Sequence, residues 1–432
     1  MSSELLEPFL GALQASFAVI LTIAVGVLAA QFNLLSEPAS KEISKFCVRL
    51  CLPALLIVNV GSQLKLETGF RYVPIIVWAI VYNVLSMLLG FAITKVFKMP
   101  SWTTPAIAFN NTTSLPLLLV QSLAATGILA SIDSSPDVLD RAKSYFLVNA
   151  MIGNSLTFAL GPRLLNGQEE DAPDREDEKG DDDQDEEEAA QRQIEQQCEE
   201  AEDANEDTSL LPRRLARGAT RAEYSGYFRG WRYWKRLPSW AQSALTFLYQ
   251  FLNAPLIGAA LGALVGLVPA LHTLFFAKQA DGGYLNAWLT SALGNVGDLF
   301  AALQVIVVGV KLSQSLLRMK KGEANGKVPM APLFVILAIR FVIWPAISIS
   351  FIYLLATRTE LLTSDPLLWF VMMLMPVGPP ALKLIALADV NGAGQEEKMS
   401  IAKFLTISYA ISPLICFAVV GSLKASQAAL GS

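Results

Sequence analysis

The sequence predicts an all-α polytopic membrane protein of ten transmembrane helices, arranged as a 5+5 inverted repeat with a Pro-broken helix in each half. Three observations carry that expectation. Of 432 residues, 53% are hydrophobic and only 16% charged, whereas soluble domains carry a charged share of about a quarter; the mean hydropathy is +0.44. The charges are separated by apolar gaps long enough to cross a bilayer, which needs about 20 residues. Finally, the formal net charge of -5 conceals two unlike parts: Glu169 to Asp207 holds 21 of the 38 acids against Arg175, Lys179 and Arg192, and elsewhere 30 bases face 17 acids. One acidic insert is therefore carried by a basic membrane protein.

The spans follow in order from the gaps between charges. No charge falls between Glu7 and Glu37, which gives the first span. Acids at Glu4 and Glu7 stand where a signal peptide wants positive charge, so this segment is expected to stay attached. Lys45 to Lys65 holds only Arg49 and is the second; Arg71 to Lys95 is the third, Lys98 to Asp133 the fourth and Lys143 to Arg163 the fifth. After the insert, Arg236 to Lys278 gives the sixth, Asp281 to Lys311 with Asp298 the seventh, Lys327 to Arg358 with Arg340 the eighth, Asp365 to Asp389 with Lys383 the ninth, and Lys403 to Lys424 the tenth. The implied domains are a first membrane repeat over 1–163, a cytosolic loop over 164–236 and a second repeat over 237–432.

Orientation comes from Lys and Arg in the short connections. Lys41, Lys45, Lys95, Lys98, Arg318, Lys320, Lys321, Lys327 and Lys398 fall on one side, which places both termini lumenal or outside and the long insert in the cytosol. The acidic part of the insert buries too little apolar surface to fold and reads as disordered. The Arg, Tyr and Trp segment from Tyr224 to Trp240 reads as an interfacial helix on the anionic leaflet, chiefly a topology anchor. Five spans in each half is an odd number, so a duplication sets the halves upside down relative to each other, as in many secondary carriers.

Such carriers bind substrate where helices break at corresponding places in the two halves. The fourth span contains Asn110, Asn111, Thr112, Thr113 and Ser114 in succession, followed by Pro116, which lacks the N–H that would bond the Thr112 carbonyl. Unsatisfied polar groups in hydrocarbon cost several kcal/mol each, so this run must line a cavity or pack on protein. The ninth span contains Pro376, Gly378, Pro379 and Pro380, with Lys383 one turn beyond, where the half-helix N-terminus already favours an anion. Both breaks fall in the fourth span of their half. Asp298, Arg340 and Lys383 are ionisable groups within spans, each costly there and expected to face protein or water; Asp298 with Arg340 or Lys383 is the expected ion pair, and Asp298 and Arg340 are the candidate ion or coupling groups. Gly258, Gly262 and Gly266 recur at every fourth position and read as a packing face.

Enzymatic chemistry has little material. There is one histidine, His272, and Cys47, Cys51, Cys198 and Cys416 show neither a disulfide framework nor zinc spacing. No catalytic residue, metal or cofactor is expected.

The motifs NNTTSLPLLLVQSL in the fourth span, PVGPPALKLIALADVNGAGQEE in the ninth and NAPLIGAALGALVG in the sixth resemble the auxin efflux carrier family, the PIN and PIN-like (PILS) proteins, with fungal members the nearer match. The resemblance covers all ten spans and leaves the insert unmatched. It implies crossing of the two Pro-broken helices, an elevator-like carrier for a small organic anion such as indole-3-acetate, and a substrate site at Asn110 or Asn111 with Gly378, Pro379 and Pro380; Thr112, Thr113, Pro116 and Lys383 complete the candidate set. Lys383 departs from the small amide or apolar residue expected after the double proline. Endoplasmic-reticulum residence is implied ahead of the plasma membrane. The expected partners are a small organic anion and membrane lipids, without nucleic acid, and a homodimer is a candidate assembly. The alternatives are a cation-coupled organic-anion symporter, since bile-acid transporters share the crossover architecture, and a non-transporting scaffold that works through the acidic loop.

Overall fold

The computed structural model describes residues 3–65, 69–166, 238, 242, 245, 253–320, 329–381, 383–390 and 395–431. The acidic loop, Cys198 and, apart from Pro238, the Tyr224–Trp240 segment lie outside the described residues. The chain divides into two units, residues 1–168 with 250–432 and residues 169–249; every element named below belongs to the first.

The first half opens with α1 (Ser3–Gln31). Helix α2 (Glu37–Phe46) starts at Ser36, whose hydroxyl accepts the Ala39 N–H, and runs through a π turn at Cys47–Cys51 into α3 (Leu52–Gln63). Then come α4 (Val73–Val96), two short helices α5 (Thr103–Ala108) and α6 (Ser114–Ala125), and the long α7 (Val138–Asn166). In the second half α8 (Ala254–Leu267) begins with an Asn253 side-chain cap followed by Pro255, a pairing that satisfies one orphan N–H and dispenses with another. It turns by 101° into α9 (Pro269–Phe276). A π turn at Asn286–Thr290 leads into α10 (Ser291–Lys320), and α11 (Met330–Ala338) continues through a π turn at Ile339–Ile343 into α12 (Trp344–Arg358). The last four are α13 (Pro366–Leu374), α14 (Lys383–Val390), α15 (Gln395–Ala410) and α16 (Ile415–Leu430).

Among the described residues six helical stretches are long and apolar enough to cross a membrane: Pro8–Gln31, Glu37–Gln63, Gly69–Val96, Asn286–Gln314, Met330–Arg358 and Ser412–Leu430. The bent pair α8 and α9 makes a seventh if taken as one span. The segments read as the fourth and ninth spans are short helices flanking a break, so neither reaches spanning length as a single helix. Exposed apolar side chains form outward stripes, such as Phe17, Leu21, Val25 and Leu28 on α1 and Ile257, Leu261 and Leu264 on α8. In a membrane protein this is the surface presented to lipid.

Two helix crossings hold the halves together, and small residues set both. α1 packs on α10. A Cβ placed on Gly26 would stand 2.0 Å from the Ile306 carbonyl oxygen, and one on Gly309 2.0 Å from that of Ile23. α3 packs on α8 in the same manner. Here a Cβ on Gly258 would meet Pro53 Cα at 2.5 Å, on Gly262 the Leu56 oxygen at 2.8 Å, and on Gly266 the Leu64 oxygen at 2.3 Å. The glycine stripe expected to be a packing face is one. Helices in lipid gain little from hydrophobic burial against each other, so close backbone approach supplies their dispersion contact.

The start of α13 is anchored by a charged cluster outside the spans. Asp365 accepts the Leu367 and Leu368 N–H groups at 3.1 and 3.2 Å and the Tyr145 hydroxyl at 2.8 Å. Arg141 lies 3.7 Å from Asp365 and also pairs with Asp133 in the connection between α6 and α7. Burial works against ionisation of Asp133, but the Ser135 N–H and the Arg141 guanidinium more than offset it and hold the carboxyl below the usual carboxylate range.

The crossings give a testable contrast within one helix. Gly309→Ala should lower the unfolding free energy in detergent by about 1 to 3 kcal/mol, because the new methyl meets backbone that must move. Gly294→Ala, where nothing lies within 4 Å of the added carbon, should be neutral or stabilising by up to about 1 kcal/mol through helix propensity. Equal thermal unfolding of the two variants would show that α1 and α10 do not meet at Gly309.

Candidate functional site

The breaks in the two short-helix pairs meet. α5 ends at Ala108 because Phe109 is extended, with φ -111° and ψ 122°, and the chain stays non-helical to Thr113 before α6 begins. α13 ends at Leu374, and Pro376, Pro379 and Pro380 prevent helix from resuming before Lys383. Gly378 has φ +116°, a backbone region closed to most residues; the nearest side chain to its missing Cβ is 4.0 Å away, so the conformation and not the space requires glycine. The extended pieces lie antiparallel, with Asn110 opposite Pro380. The Asn111 N–H donates to the Pro379 carbonyl at 2.9 Å, and the Ala381 N–H donates to the Phe109 carbonyl at 3.0 Å.

Nearly every carbonyl of the second break has a named donor. The Asn110 amide nitrogen donates to Met375 at 2.9 Å and Val377 at 3.2 Å. Arg340 donates to Pro376 at 3.3 Å, Asn111 to Pro379, and the Tyr409 hydroxyl to Pro380 at 3.3 Å. The Asn111 amide nitrogen in turn donates to the Tyr409 oxygen at 2.9 Å and to Ser114 at 3.2 Å, while its amide oxygen accepts the Thr113 N–H at 3.3 Å. Two carbonyl acceptors fix the orientation of the Asn110 amide, and its oxygen is left buried without a partner among the described residues. That oxygen can accept one further hydrogen bond.

α7 backs both breaks. Gly153 lets it approach Thr112, whose side chain would lie 3.2 Å from a Cβ there, and Gly161 does the same for Leu387 of α14. Lys383 is the first residue of α14, half-buried, and its ammonium donates to the Asn154 side-chain oxygen on α7. Thr112 is buried and Thr113 half-buried just ahead of α6. Pro116 sits in the first turn of α6, where a missing N–H costs nothing. It therefore admits the helix after the break and does not itself interrupt one.

The two breaks, from opposite halves of the sequence, thus meet, and the charged positions differ from the expectation. Arg340 is fully buried and meets backbone carbonyls of Ile107 and Pro376, with no acid paired to it among the described residues. Asp298 is exposed on the outer side of α10, because the inward positions Gly297, Phe300 and Ala301 pack on neighbouring helices. The expected pairing of Asp298 with Arg340 or Lys383 does not form. Sequence reasoning missed Tyr409 and Asn154. Both carried a signal, since a tyrosine hydroxyl or an amide in an apolar span must find a partner.

A broken helix from each half, crossed through backbone bonds and surrounded by lipid-facing helices, is what a carrier needs to expose polar groups inside a bilayer. Comparison with known proteins agrees. The family model described as "Membrane transport protein" matches residues 12–419. The chain belongs to this family, that of the auxin efflux carriers. The transporter is also similar to a protein of the fission yeast Schizosaccharomyces pombe whose name describes it as an uncharacterized transporter, with 26% identity over 433 residues that cover 94% of this chain and 92% of the relative. An integral, multi-pass membrane transporter of fungal type is the outcome, and not an enzyme.

The hydrogen-bond accounting is open to test. Asn110→Ala leaves the Met375 and Val377 carbonyls without their donor and should lower the unfolding free energy by about 2 to 4 kcal/mol. Asn110→Asp, which offers acceptors where donors are needed, should fare no better. Thermal unfolding equal to wild type in both would mean that these carbonyls have other partners.

Proposed function

We propose that the transporter is a secondary carrier for a small organic anion, for which an indole carboxylate such as indole-3-acetate is the model, working by alternating access around the crossover. The observation behind this reading is the antiparallel contact between the two breaks, which sets Asn110 and Asn111 against Pro379 and Pro380; Thr112, Thr113, Gly378 and Lys383, which flank that contact in sequence, are taken into the same site. The N-terminal ends of α6 and α14 both start there, and helix N-termini favour negative charge. Lys383 adds a cation at one of them. A carboxylate is the group such a site is suited to hold, and the unpartnered Asn110 oxygen is suited to a hydrogen-bond donor on the same ligand.

The architecture of this reading is ten spans as two inverted five-helix repeats. Its support is that packing recurs in equivalent pairs: between the halves α1 packs on α10 while α3 packs on α8, and within each half α5 packs on α4 as α13 packs on α12. The glycine approaches at Gly26 with Gly309 and at Gly262 with Leu56 fall in corresponding crossings. On the charge bias of the short connections the termini are lumenal or outside and the loop cytosolic, and we place the carrier in the endoplasmic reticulum membrane by family resemblance. An exposed Asp298, with no charged partner among the described residues, gives no support to a cation-coupled cycle.

Uptake of labelled carboxylates into proteoliposomes tests the proposal. Wild type should show saturable carboxylate transport. Lys383→Gln should raise the apparent KM at least roughly tenfold, since a charge-assisted hydrogen bond is worth about 1.5 to 3 kcal/mol. Unchanged KM in Lys383→Gln would remove Lys383 from the site, and absence of carboxylate transport in wild type would refute the substrate class.

A further inference from the structure

Arg340 has a role that neither an ion pair nor a snorkelling side chain describes. It lies in the π turn Ile339–Ile343, is 0% exposed, and forms no ion pair among the described residues. A buried guanidinium without a counter-charge is costly. Its two terminal nitrogens reach the carbonyls of Ile107, in the last turn of α5, and Pro376, just past the end of α13. Those are the two C-terminal ends of the crossover, where orphan carbonyls concentrate negative partial charge. One cation therefore bridges the negative ends of both broken helices, and this explains how it is tolerated without an acid.

The consequence concerns the other two ends. Four half-helix termini converge on the crossover, two negative from α5 and α13 and two positive from α6 and α14. Left alone, their fields oppose one another. With the negative pair neutralised, the positive pair dominates. We propose that Arg340 is the positioning residue that sets the charge preference of the crossover: by capping α5 and α13 together it leaves a site that favours anions. This rests on the reading of the crossover as the substrate site and deepens it by naming what selects the charge of the substrate.

The test reads local potential without any substrate. In full-length protein with all native cysteines replaced by serine, Thr113→Cys puts a thiol at the half-buried position before α6. Its rates of modification by an anionic and a cationic methanethiosulfonate give a ratio that reports the field there. Removing one nearby charge should change that ratio roughly tenfold or more in a partly desolvated site. Arg340→Gln should accordingly lower the anionic-to-cationic ratio by about tenfold or more, while Arg340→Lys, which keeps the charge and reaches a single carbonyl, should stay within about twofold of the parent. A ratio unaltered by Arg340→Gln overturns the proposal. So does a fall in Arg340→Lys as large as that expected of Arg340→Gln, which decides the matter even if Arg340→Gln is not recovered folded. A thiol that reacts with neither reagent in the parent also overturns it, because an anion would have no path to the capped crossover. Protection of the introduced thiol by indole-3-acetate tests the substrate reading separately: its absence with the ratio change intact would sink that reading and leave the role of Arg340 standing.

Discussion

Inside a bilayer a backbone group that leaves a helix has no water to turn to, and the whole arrangement follows from how this chain meets that constraint. Two segments leave the helix, and each satisfies the other. The Asn111 N–H to Pro379 carbonyl and the Ala381 N–H to Phe109 carbonyl bonds tie them together, and Asn110, Arg340 and Tyr409 take up the carbonyls that remain. Neither break is tolerable alone. A polar centre in the membrane is therefore the by-product of pairing two defects.

The rest of the fold serves to keep those segments in register. α7 lies against both breaks through Gly153 and Gly161, and the Asp365 cluster fixes the start of α13. The glycine crossings of α1 with α10 and α3 with α8 use backbone contact where hydrophobic burial offers little. Positive charge is treated in two ways. Arg340 is committed to the carbonyl ends of two half-helices, whereas Lys383 donates to the neutral side chain of Asn154.

Much of this was legible in the residues. Charge-free gaps mark apolar helices because a charge in hydrocarbon is costly, and the Asn-Asn-Thr-Thr-Ser run and the Pro-Val-Gly-Pro-Pro run mark breaks because neither suits a lipid-facing helix. Their meeting was suggested by their corresponding places in the two halves. What could not be read was the partner of each buried polar group. Arg340 looked like half of an ion pair because a sequence displays side-chain acids but not helix ends, and the carbonyls of Ile107 and Pro376 become acceptors only once the helices stop there. Asp298 looked internal because its span is apolar on every side, so nothing in the periodicity showed which face α10 turns inward. Tyr409 and Asn154 lie among scattered polar residues of their spans, such as Ser408 and Ser412 or Asn149 and Ser155, without the unbroken run or the prolines that mark the breaks.

The central claim is that the two breaks touch, with Asn110 directly opposite Pro380. Facing residues of an antiparallel bridge have Cβ atoms about 4.5 to 5.5 Å apart, close enough for a disulfide with little backbone adjustment. The most direct measurement therefore places Asn110→Cys and Pro380→Cys in a background without native cysteines, with a protease site inserted between residues 168 and 235. After mild oxidation and cleavage, the two halves should migrate as one species on a denaturing gel and separate on reduction. Halves that separate without reductant, from protein that is folded and membrane-inserted, would contradict the account at its foundation.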